Sequence, residues 1–529
     1  MPGTPDLSTL GAVRGTDRRA RGAVALIAAA GLGVTACGLG PAEPLKGAGE
    51  PTVPTPSVTA PSVSPGLGEG ARRPGERRPN ILLITVDDAA PDDLEHMPHV
   101  RRLIADRGVT MTNMVAPTPI CVPARASLLT GQYAPNHGAL TISGDHGGVE
   151  SFDDRRTLPT WLRAAGYDTM FVGKYLNGYG VSGRPPTYVP PGWSDWRGSV
   201  DWATYDFSRA SLSTNGEVVD TPDYNTDVFA ANVTEMLSAP ERHENPWYLS
   251  VNYVAPHVGD PIESDDPYGM KTTVPAQRHR DSFADVPLSA KPNRFERRPG
   301  DKAMRATHDR ARWDAEARAA LREANQQRLE SLQAVDEAVR EHIWVLRRTK
   351  QLARTVVVFT SDNGYLLGEH NLGGKLWHYR DSHEVPSVIR GPGIPRGTVV
   401  DDLAANVDLP ATFTAMAEAT PRRRVDGVDL RPVLRGEARG TRGVPIAAYP
   451  VRGGSRPLYT GVRHGERWNY VRLRSGEELF DLAADPYELT NLARDRSHRP
   501  ILRRLRRISR TLRDCAGAAC RQFDGRSSP

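Results

Sequence analysis

Side chains that can bind a metal ion stand at the ends of two apolar segments of this chain. Asp87 and Asp88 follow the run NILLITV at 80–86, and Asp362 and Asn363 follow TVVVFTS at 355–361. All four offer hard oxygen ligands, which Ca²⁺ and Mg²⁺ prefer, and none offers the sulfur or imidazole that favours Zn²⁺. These residues therefore predict a site for Ca²⁺ or Mg²⁺.

A second set of side chains carries positive charge or a titratable nitrogen. Its members are Arg125, Lys174, His257 and Lys375. Guanidinium and ammonium groups can hold a tetrahedral oxyanion, and a histidine or lysine can protonate its leaving group. A divalent metal ion together with these donors would bind a sulfate or phosphate ester well. Such a site still needs a nucleophile.

Cys121 is the candidate for that nucleophile. It lies in TPICVPARASLLTGQY at 118–133, where Pro123 suits a first helical turn and Gly131 suits a helix end. These signals place Cys121 just before a helix, at the positive end of the helix dipole, where an anion is stabilised. A buried free thiol is the ordinary interpretation of a lone cysteine. A thiol is also a poor match for a metal site made of oxygen ligands.

The candidate residues need a scaffold that brings them together. Apolar runs that indicate buried strands occur at NILLITVDD, YDTMFVGK, WYLSVNYVAPH, TVVVFTSDNG and VPSVIRGPG, as in a parallel sheet. Helical patterns alternate with them, so we predict an α/β fold with a large, mostly parallel sheet sandwiched by helices. Lys174 and His257 end the second and third runs. The carboxyl edge of the sheet would therefore gather the site.

The sequence predicts four segments. Residues 1–37 are a signal or lipoprotein peptide, 38–79 a Pro/Ser/Thr-rich disordered linker, 80–450 the main domain, and 451–529 a small antiparallel sheet with a terminal helix. Residues 259–310 lack periodicity and predict a surface insertion at the substrate mouth. Cys515 and Cys520 could close one small disulfide loop. The stretch RRLRRISR predicts an amphipathic surface helix.

The N-terminus predicts export. RRARGAVALIAAAGLGVTAC has a basic flank, a short apolar run and small residues before Cys37. VTAC resembles a bacterial lipobox, so Cys37 would carry a lipid that attaches the protein to the membrane. An ordinary secretory signal is the alternative, and Arg18-Arg19 could be a weak twin-arginine motif. The net charge of +5 is small for 529 residues, and no basic stripe with interleaved aromatic residues is present, so nucleic-acid binding is not indicated.

Taken together, these motifs resemble the type I sulfatases of the alkaline-phosphatase superfamily. CVPAR at 121–125 matches their C-x-P-x-R signature. DD before it, and GK, APH, SDNG and GGK after it, stand in family order, and the resemblance covers roughly residues 80–500. The resemblance implies that a formylglycine-generating enzyme oxidises Cys121 to Cα-formylglycine (3-oxoalanine). The hydrated aldehyde would serve as metal ligand and nucleophile. The implied metal is Ca²⁺, with Mg²⁺ as the alternative, held by Asp87, Asp88, Cys121, Asp362 and Asn363.

The resemblance also implies roles for the cationic residues. Arg125 would steady the formylglycine, while Lys174, His257 and Lys375 would contact the sulfate or the leaving oxygen. In the implied reaction one hydroxyl of the hydrate attacks sulfur, and His257 or a lysine protonates the departing oxygen. The second hydroxyl then expels sulfate and restores the aldehyde. A plain serine lacks that second hydroxyl.

The chain departs from the family pattern at two places. Tyr175-Leu176-Asn177 follow Lys174 where many members have Trp-His, so a second family histidine is absent and Asn177 is the candidate substitute. Val258-Gly259-Asp260-Pro261 replace the shorter APHxP form. GKYLNGYG resembles the N-acetylglucosamine-6-sulfatase branch, which implies a sulfated sugar or glycan as substrate. His137 and His370 also lie in family-like loops, and a structural role is favoured for His137.

Two other functions fit the same residues. Related proteins use a formylglycine on phosphorus, so a phosphonate or phosphodiester hydrolase is one alternative. A non-catalytic lipoprotein that binds sulfated glycans, with Cys121 unconverted, is the other. Hydrolysis rates on sulfate and phosphate esters would separate the enzymes, and an intact Cys121 with no turnover would favour the binding protein.

Overall fold

The computed structural model describes residues 78–521, apart from 241–243, 265, 310, 438–441 and 452. Cys37 and the N-terminal segments predicted from the sequence lie outside the described residues. None of the described helices is both long and apolar enough to cross a membrane.

Strands and helices alternate through most of the described chain. The strands are β1 Asn80–Val86, β2 Val109–Met111, β3 Met114–Val115, β4 Asp168–Lys174, β5 Asp195–Ser199, β6 Ala210–Thr214, β7 Glu217–Thr221, β8 Trp247–Asn252, β9 Thr355–Ser361, β10 Leu366–Leu367, β11 Gly373–Gly374, β12 Ser387–Arg390, β13 Thr398–Val400, β14 Ala404–Ala405, β15 Gly443–Ala448, β16 Tyr459–His464, β17 Trp468–Leu473 and β18 Glu477–Asp481. The helices are α1 Pro98–Leu103, α2 Cys121–Thr130, α3 Ala134–His137, α4 Leu158–Ala164, α5 Asp201–Thr204, α6 Asn225–Ser238, α7 Ala315–Arg348, α8 Arg380–His383, α9 Asp408–Ala417, α10 Arg431–Leu434 and α11 Arg499–Arg513.

The main sheet has ten strands in the order β13-β2-β12-β9-β1-β8-β4-β5-β6-β7. Its centre, from β9 to β5, is parallel throughout, which confirms the predicted α/β fold. One strand orientation was wrong, because β12 (in VPSVIRGPG) runs antiparallel to both neighbours. Residues 362–386 contain only short elements and no crossover helix that would return the chain to the opposite edge. The chain therefore re-enters the sheet from the edge that β9 has just left.

The central strand β1 is apolar along its whole length because both of its faces are covered. Ile81 and Leu83 pack in one buried cluster with residues of α2, α4 and α9. Leu82 and Ile84 pack in a second cluster with residues of α1, α6 and α7. Each such fully buried side chain stabilises the fold by about 2 kcal/mol relative to exposure. This burial holds the carboxyl end of β1, where Asp87 and Asp88 follow, in a fixed place.

A four-stranded antiparallel sheet, β15 to β18, forms the C-terminal part of the described chain. Its first strand begins at Gly443, before residue 451, where the sequence analysis placed the boundary. Helix α11 is amphipathic as predicted, and its buried Leu502 and Leu505 lie in one cluster with Val444 and Val462 of the sheet. Cys515 and Cys520 form the disulfide that closes the small loop.

Candidate active site

The predicted site residues converge at the carboxyl edge of the main sheet. Asp87 and Asp88 follow β1, Asp362 and Asn363 follow β9, Lys174 ends β4, and Cys121 and Arg125 lie one turn apart on α2. His257 is the exception to the sequence analysis, because β8 ends at Asn252 and His257 lies in the loop beyond it. Cys121 is the first residue of α2 rather than a residue before it, and its side chain is buried.

Three carboxylates form the acidic part of the site. Asp87, Asp88 and Asp362 each place an oxygen within 4.8 Å of the others, and all three are buried. The Asn363 amide nitrogen donates to Asp88 Oδ1 at 2.6 Å, while Asn363 Oδ1 has no hydrogen-bond partner in the described part of the chain. Three buried carboxylates and an orphaned amide oxygen are the hard ligands that suit Ca²⁺ or Mg²⁺. The residues present therefore fit a divalent cation.

Neighbouring charges shift the pKa values of these carboxylates in different directions. Burial raises the pKa of Asp362 to about 6, and the charge of Asp87 adds to that effect. Burial would also raise the pKa of Asp87, but the positive charges around it, first that of Lys174, outweigh burial and hold the pKa well below its ordinary value. Asp87 is thus the carboxylate most firmly ionised by its surroundings.

The cationic side chains pair directly with these acids. Lys174 Nζ contacts Asp87 and Lys375 Nζ contacts Asp88. Arg125 Nε lies 2.9 Å from Asp362 Oδ2, and its NH1 group donates to the carbonyl of Lys174 at 2.9 Å. Because these groups are buried among carboxylates, their pKa values are raised and they stay charged at neutral pH. They can hold an anion, but they are weak proton donors.

The Cys121 thiol lies between the acidic and basic groups. Its sulfur is 3.0 Å from Lys375 Nζ and 3.6 Å from Asp87 Oδ1. Burial, reinforced by the charge of Asp87, raises the pKa of Cys121 to about 11. A thiol nucleophile acts as the thiolate, which reactive cysteines obtain through a lowered pKa. The unmodified thiol is therefore in the right place for catalysis but in the wrong protonation state.

His257 faces the same site from its loop. Its Nδ1 lies 2.6 Å from the carbonyl of Val258, and its Nε2 lies 3.7 Å from Asp88 Oδ2. Burial lowers the pKa of His257 to about 4, so the imidazole is neutral at pH 7. With Nδ1–H donated to the carbonyl, Nε2 is the ring nitrogen that can exchange a proton with a bound group.

The sequence analysis missed two residues that support the site. The ring of Tyr205 lies 4.7 Å from Lys174 Nζ and 4.7 Å from the ring of His257. Arg328 of α7 donates to the carbonyl of Asp88 at 2.6 Å and to that of Pro256 at 3.3 Å, which fixes the backbone on both sides. Neither residue lies in a motif, and each reaches the site from a distant part of the chain.

Asn177, the candidate substitute for the absent family histidine, contacts Tyr205. Its amide nitrogen lies 2.8 Å from the tyrosine hydroxyl, and its Oδ1 is buried without a partner among the described residues. Because amide nitrogen and oxygen are assigned from hydrogen bonding, the reversed amide is equally consistent with the contact to Tyr205. The hydroxyl would then donate to Oδ1, and the amide nitrogen would be free to donate to a ligand.

His137 and His370 are held in structural networks. His137 Nε2 lies 3.2 Å from Ser127 Oγ, its Nδ1 accepts from the Ala139 amide, and burial lowers its pKa to about 3. His370 contacts Glu296 at 3.0 Å and stacks on Tyr379. Glu296 belongs to the predicted insertion 259–310, so this segment packs against the loop that carries Lys375 rather than lying loosely on the surface.

For the ester hydrolysis that the sequence resemblance implies, we expect Tyr205→Phe to lower kcat roughly fivefold, the value of one hydrogen bond of about 1 kcal/mol. The ring remains against Lys174 and His257, so the loss should be absent in an Asn177→Ala background. Steady-state kinetics on the four combinations measures this coupling. Tyr188→Phe, which removes a hydroxyl bonded to Asp154, is the matched control. Equal losses in both backgrounds would show that Tyr205 does not act through Asn177.

Comparison with known proteins matches the sequence of this chain to one family. A sequence model described as Sulfatase matches residues 79–419, and one described as N-sulphoglucosamine sulphohydrolase, C-terminal, matches residues 368–514. The chain belongs to the sulfatase family and is a sulfuric ester hydrolase.

Within that family the chain is similar to sulfatases of several kinds. It is 32% identical over 379 residues to an extracellular sulfatase SULF-1 homolog of Drosophila melanogaster, covering 69% of this chain but only 32% of that protein. It is 28% identical to the N-acetylglucosamine-6-sulfatase of Homo sapiens, over 84% of this chain and 86% of that protein. N-acetylglucosamine-6-sulfatases are thus among the sulfatases that this chain resembles.

Solved structures share the fold. One solved structure is that of the protein BT4656 in complex with its substrate D-glucosamine-2-N,6-O-disulfate. It is 20% identical to this chain with a TM-score of 0.66, and the match covers 85% of this chain and 100% of the solved chain. The phosphonate monoester hydrolase of Agrobacterium radiobacter is 23% identical with a TM-score of 0.61, covering 82% of this chain and 95% of that one. At such identities the likeness concerns the fold alone.

Proposed function

We propose that this sulfatase removes sulfate from a sulfated carbohydrate of the N-acetylglucosamine 6-sulfate kind, with Cα-formylglycine at position 121 and a bound Ca²⁺ ion. The observation that carries the proposal is the state of Cys121. Its sulfur lies 3.0 Å from Lys375 and 3.6 Å from Asp87, yet burial raises the pKa of the thiol to about 11. The thiol thus lies among the charged groups of the site but stays protonated at neutral pH. An oxygen nucleophile at this position would not depend on forming a thiolate.

The proposed cation would be held by Asp87, Asp88, Asp362, Asn363 and the modified residue 121. When bound, it would polarise the sulfate oxygens and the attacking hydroxyl. The hydrated aldehyde would offer two hydroxyls on one carbon, one to attack sulfur and one to release sulfate afterwards. Arg125 would hold Asp362 and the end of β4 in position, because its guanidinium contacts both Asp362 and the carbonyl of Lys174.

Lys174 and Lys375 would neutralise the charge of the sulfuryl group, since both stay protonated at neutral pH. His257 is neutral at pH 7 with its proton at Nδ1, donated to the carbonyl of Val258, so it would first take up a proton at Nε2 and then pass that proton to the leaving oxygen. Because the pKa of His257 is low, its protonated form is a stronger acid than either Lys174 or Lys375. Asn177 would donate to the ester where many relatives use a second histidine.

Mass spectrometry of the peptide containing Cys121, from protein made in a host with the formylglycine-generating enzyme, tests the modification. Turnover should then be compared on N-acetylglucosamine 6-sulfate, an aryl sulfate and a phenylphosphonate monoester. We expect the aldehyde mass and the highest kcat/KM on the sulfated sugar. An unmodified cysteine in active protein would contradict the proposal, and so would faster turnover of the phosphonate.

The phosphonate and phosphodiester alternative remains the second candidate. The observation that favours it is the fold shared with phosphonate monoester hydrolases of Agrobacterium radiobacter and Silicibacter pomeroyi. The non-catalytic glycan-binding alternative would require the unmodified thiol and no turnover on any ester.

We further propose that the protein is exported and attached to the membrane through a lipid on Cys37. A diacylglycerol-bearing cysteine carries more than one acyl chain, which is sufficient for stable attachment. Cys37→Ala should therefore move the protein from the membrane fraction to the medium or the soluble fraction. Cys121→Ala, the same change at a different cysteine, should leave fractionation unchanged. Membrane association that survives Cys37→Ala would contradict lipid attachment at this residue.

A further inference from the structure

Helix α11 carries an unusual concentration of positive charge. Its sequence, RPILRRLRRISRTLR, has seven arginines and no acidic residue, although the whole chain has a net charge of only +5. The arginines at 499, 503, 507 and 510 are spaced by four, four and three residues, so they share one face of the helix. We call this surface, with the adjacent exposed Arg504, the arginine face.

The arginine face is exposed and has few internal partners. All five of its arginines are exposed to solvent. On α11, ion pairs with described carboxylates are made only by Arg506 with Glu477 and Arg513 with Asp514, neither of which belongs to the arginine face. Arg472 of β17 is also exposed, but it lies opposite Glu477 in the sheet and is not counted in the arginine face.

Nothing in the fold requires this arrangement of charge. The opposite face of α11 supplies the packing, with Leu502, Leu505, Ile508 and Leu512 buried against the small sheet. Like charges three and four residues apart on a helix repel one another. Arg499 in the first turn is also unfavourable for the helix dipole. A bound polyanion would relieve both effects.

We propose that the arginine face binds a stretch of sulfated polysaccharide outside the active site and so recruits polymeric substrate. This inference rests on the proposed function, because it takes the polymer to be the sulfated glycan on which the enzyme acts. Guanidinium groups match sulfate oxygens in charge and in bidentate geometry. A row of four arginines on one face can contact successive sulfate groups of a single chain.

An anionic membrane surface is the competing partner, and the packing of α11 argues against it. Helices that lie in a membrane interface insert an apolar face among the acyl chains. The apolar face of α11 is already buried against β15 and β16, where Val444 and Val462 lie in the same cluster. A membrane could therefore bind α11 only through electrostatic attraction to its arginines. A sulfated polysaccharide needs no apolar contact.

The test compares the triple variant Arg503→Gln, Arg507→Gln, Arg510→Gln with a matched control in the full chain. The control, Arg101→Gln, Arg102→Gln, Arg107→Gln, removes the same charge from arginines that are exposed around α1. Binding of heparin, of non-sulfated hyaluronan and of vesicles containing phosphatidylglycerol is measured at about 0.15 M salt, where longer-range attraction is screened. Hydrolysis of a small sulfate ester is measured in parallel.

We expect the helix variant to raise the dissociation constant for heparin at least tenfold and the control variant less than twofold. Hyaluronan should bind weakly to all three proteins, and the small ester should be hydrolysed equally by all three. Equal losses of heparin binding in both variants would overturn the proposal, as would tighter binding to vesicles than to heparin. Absence of small-ester hydrolysis in the wild type would instead refute the proposed function, while leaving the heparin comparison intact.

Discussion

Cys121→Ser should abolish multiple turnover of a sulfate ester, with kcat lower by roughly 10³-fold or more, while substrate binding is largely kept. The serine hydroxyl restores an oxygen at the first residue of α2, beside Lys375 and Asp87, so one attack on sulfur is possible. It carries no second hydroxyl on the same carbon, however, so the resulting sulfate ester cannot collapse. The loss should therefore appear in kcat far more than in KM.

Steady-state hydrolysis, followed by intact-mass analysis after exposure to substrate, measures both parts of this expectation. The serine variant should retain one sulfate group per chain after exposure. Cys121→Ala is the control, because it has neither hydroxyl and should be inactive without gaining mass. Turnover by Cys121→Ser at the wild-type rate would show that a plain side chain suffices and that formylglycine is not needed.

The fold was predictable because its elements have strong local signals. The run NILLITV is apolar at every position since β1 is covered on both faces, and alternation with helices then predicts the parallel centre of the sheet. The direction of β12 had no such signal. That direction depends on the path that residues 362–386 take between β9 and β12. The spacing of apolar residues carries no information about that path.

The candidate site was predictable where residues follow strands directly. Asp87, Lys174 and Asp362 share an edge of the sheet because parallel strands end there together. His257 lies near them through a loop, beyond the end of β8, and sequence reasoning placed it correctly in space but on the wrong element. Tyr205 and Arg328 act across 28 and 240 residues of sequence, respectively. Such contacts exist only after the chain has folded.

The balance of charge in the site bears on the proposed metal. Three buried carboxylates, Asp87, Asp88 and Asp362, face three buried cations, Arg125, Lys174 and Lys375. The cluster is therefore nearly neutral when Asp362 is ionised, and adding a dication alone would leave uncompensated buried positive charge. A sulfate dianion would restore neutrality, because burying an unpaired charge is costly. Cation and sulfate should thus bind cooperatively.

Asp362→Ala should weaken Ca²⁺ binding by at least tenfold and reduce activity, with partial recovery in excess Ca²⁺, because one of three carboxylate ligands is lost. In wild-type protein, added Ca²⁺ should raise the melting temperature after chelation, since a ligand of the folded state stabilises it. Asp362→Ala also removes the shorter of two ion pairs of the buried Arg125, the one at 2.9 Å, and leaves only the pair with Asp87 at 3.4 Å, so this variant should melt lower even without metal. Asp362→Asn, which retains an oxygen ligand, should show an intermediate Ca²⁺ affinity.

Asp408→Ala separates loss of a metal ligand from loss of a buried ion pair. Asp408 is fully buried and pairs with Arg442 away from the site, so its removal should also lower the melting temperature. That variant should nevertheless keep the wild-type Ca²⁺-dependent shift, whereas Asp362→Ala should lose most of it. Differential scanning fluorimetry across a Ca²⁺ series, with calorimetric titration, gives both readouts without an activity assay. An equal Ca²⁺ response in the two variants, or full activity after exhaustive chelation, would contradict a cation held by Asp362.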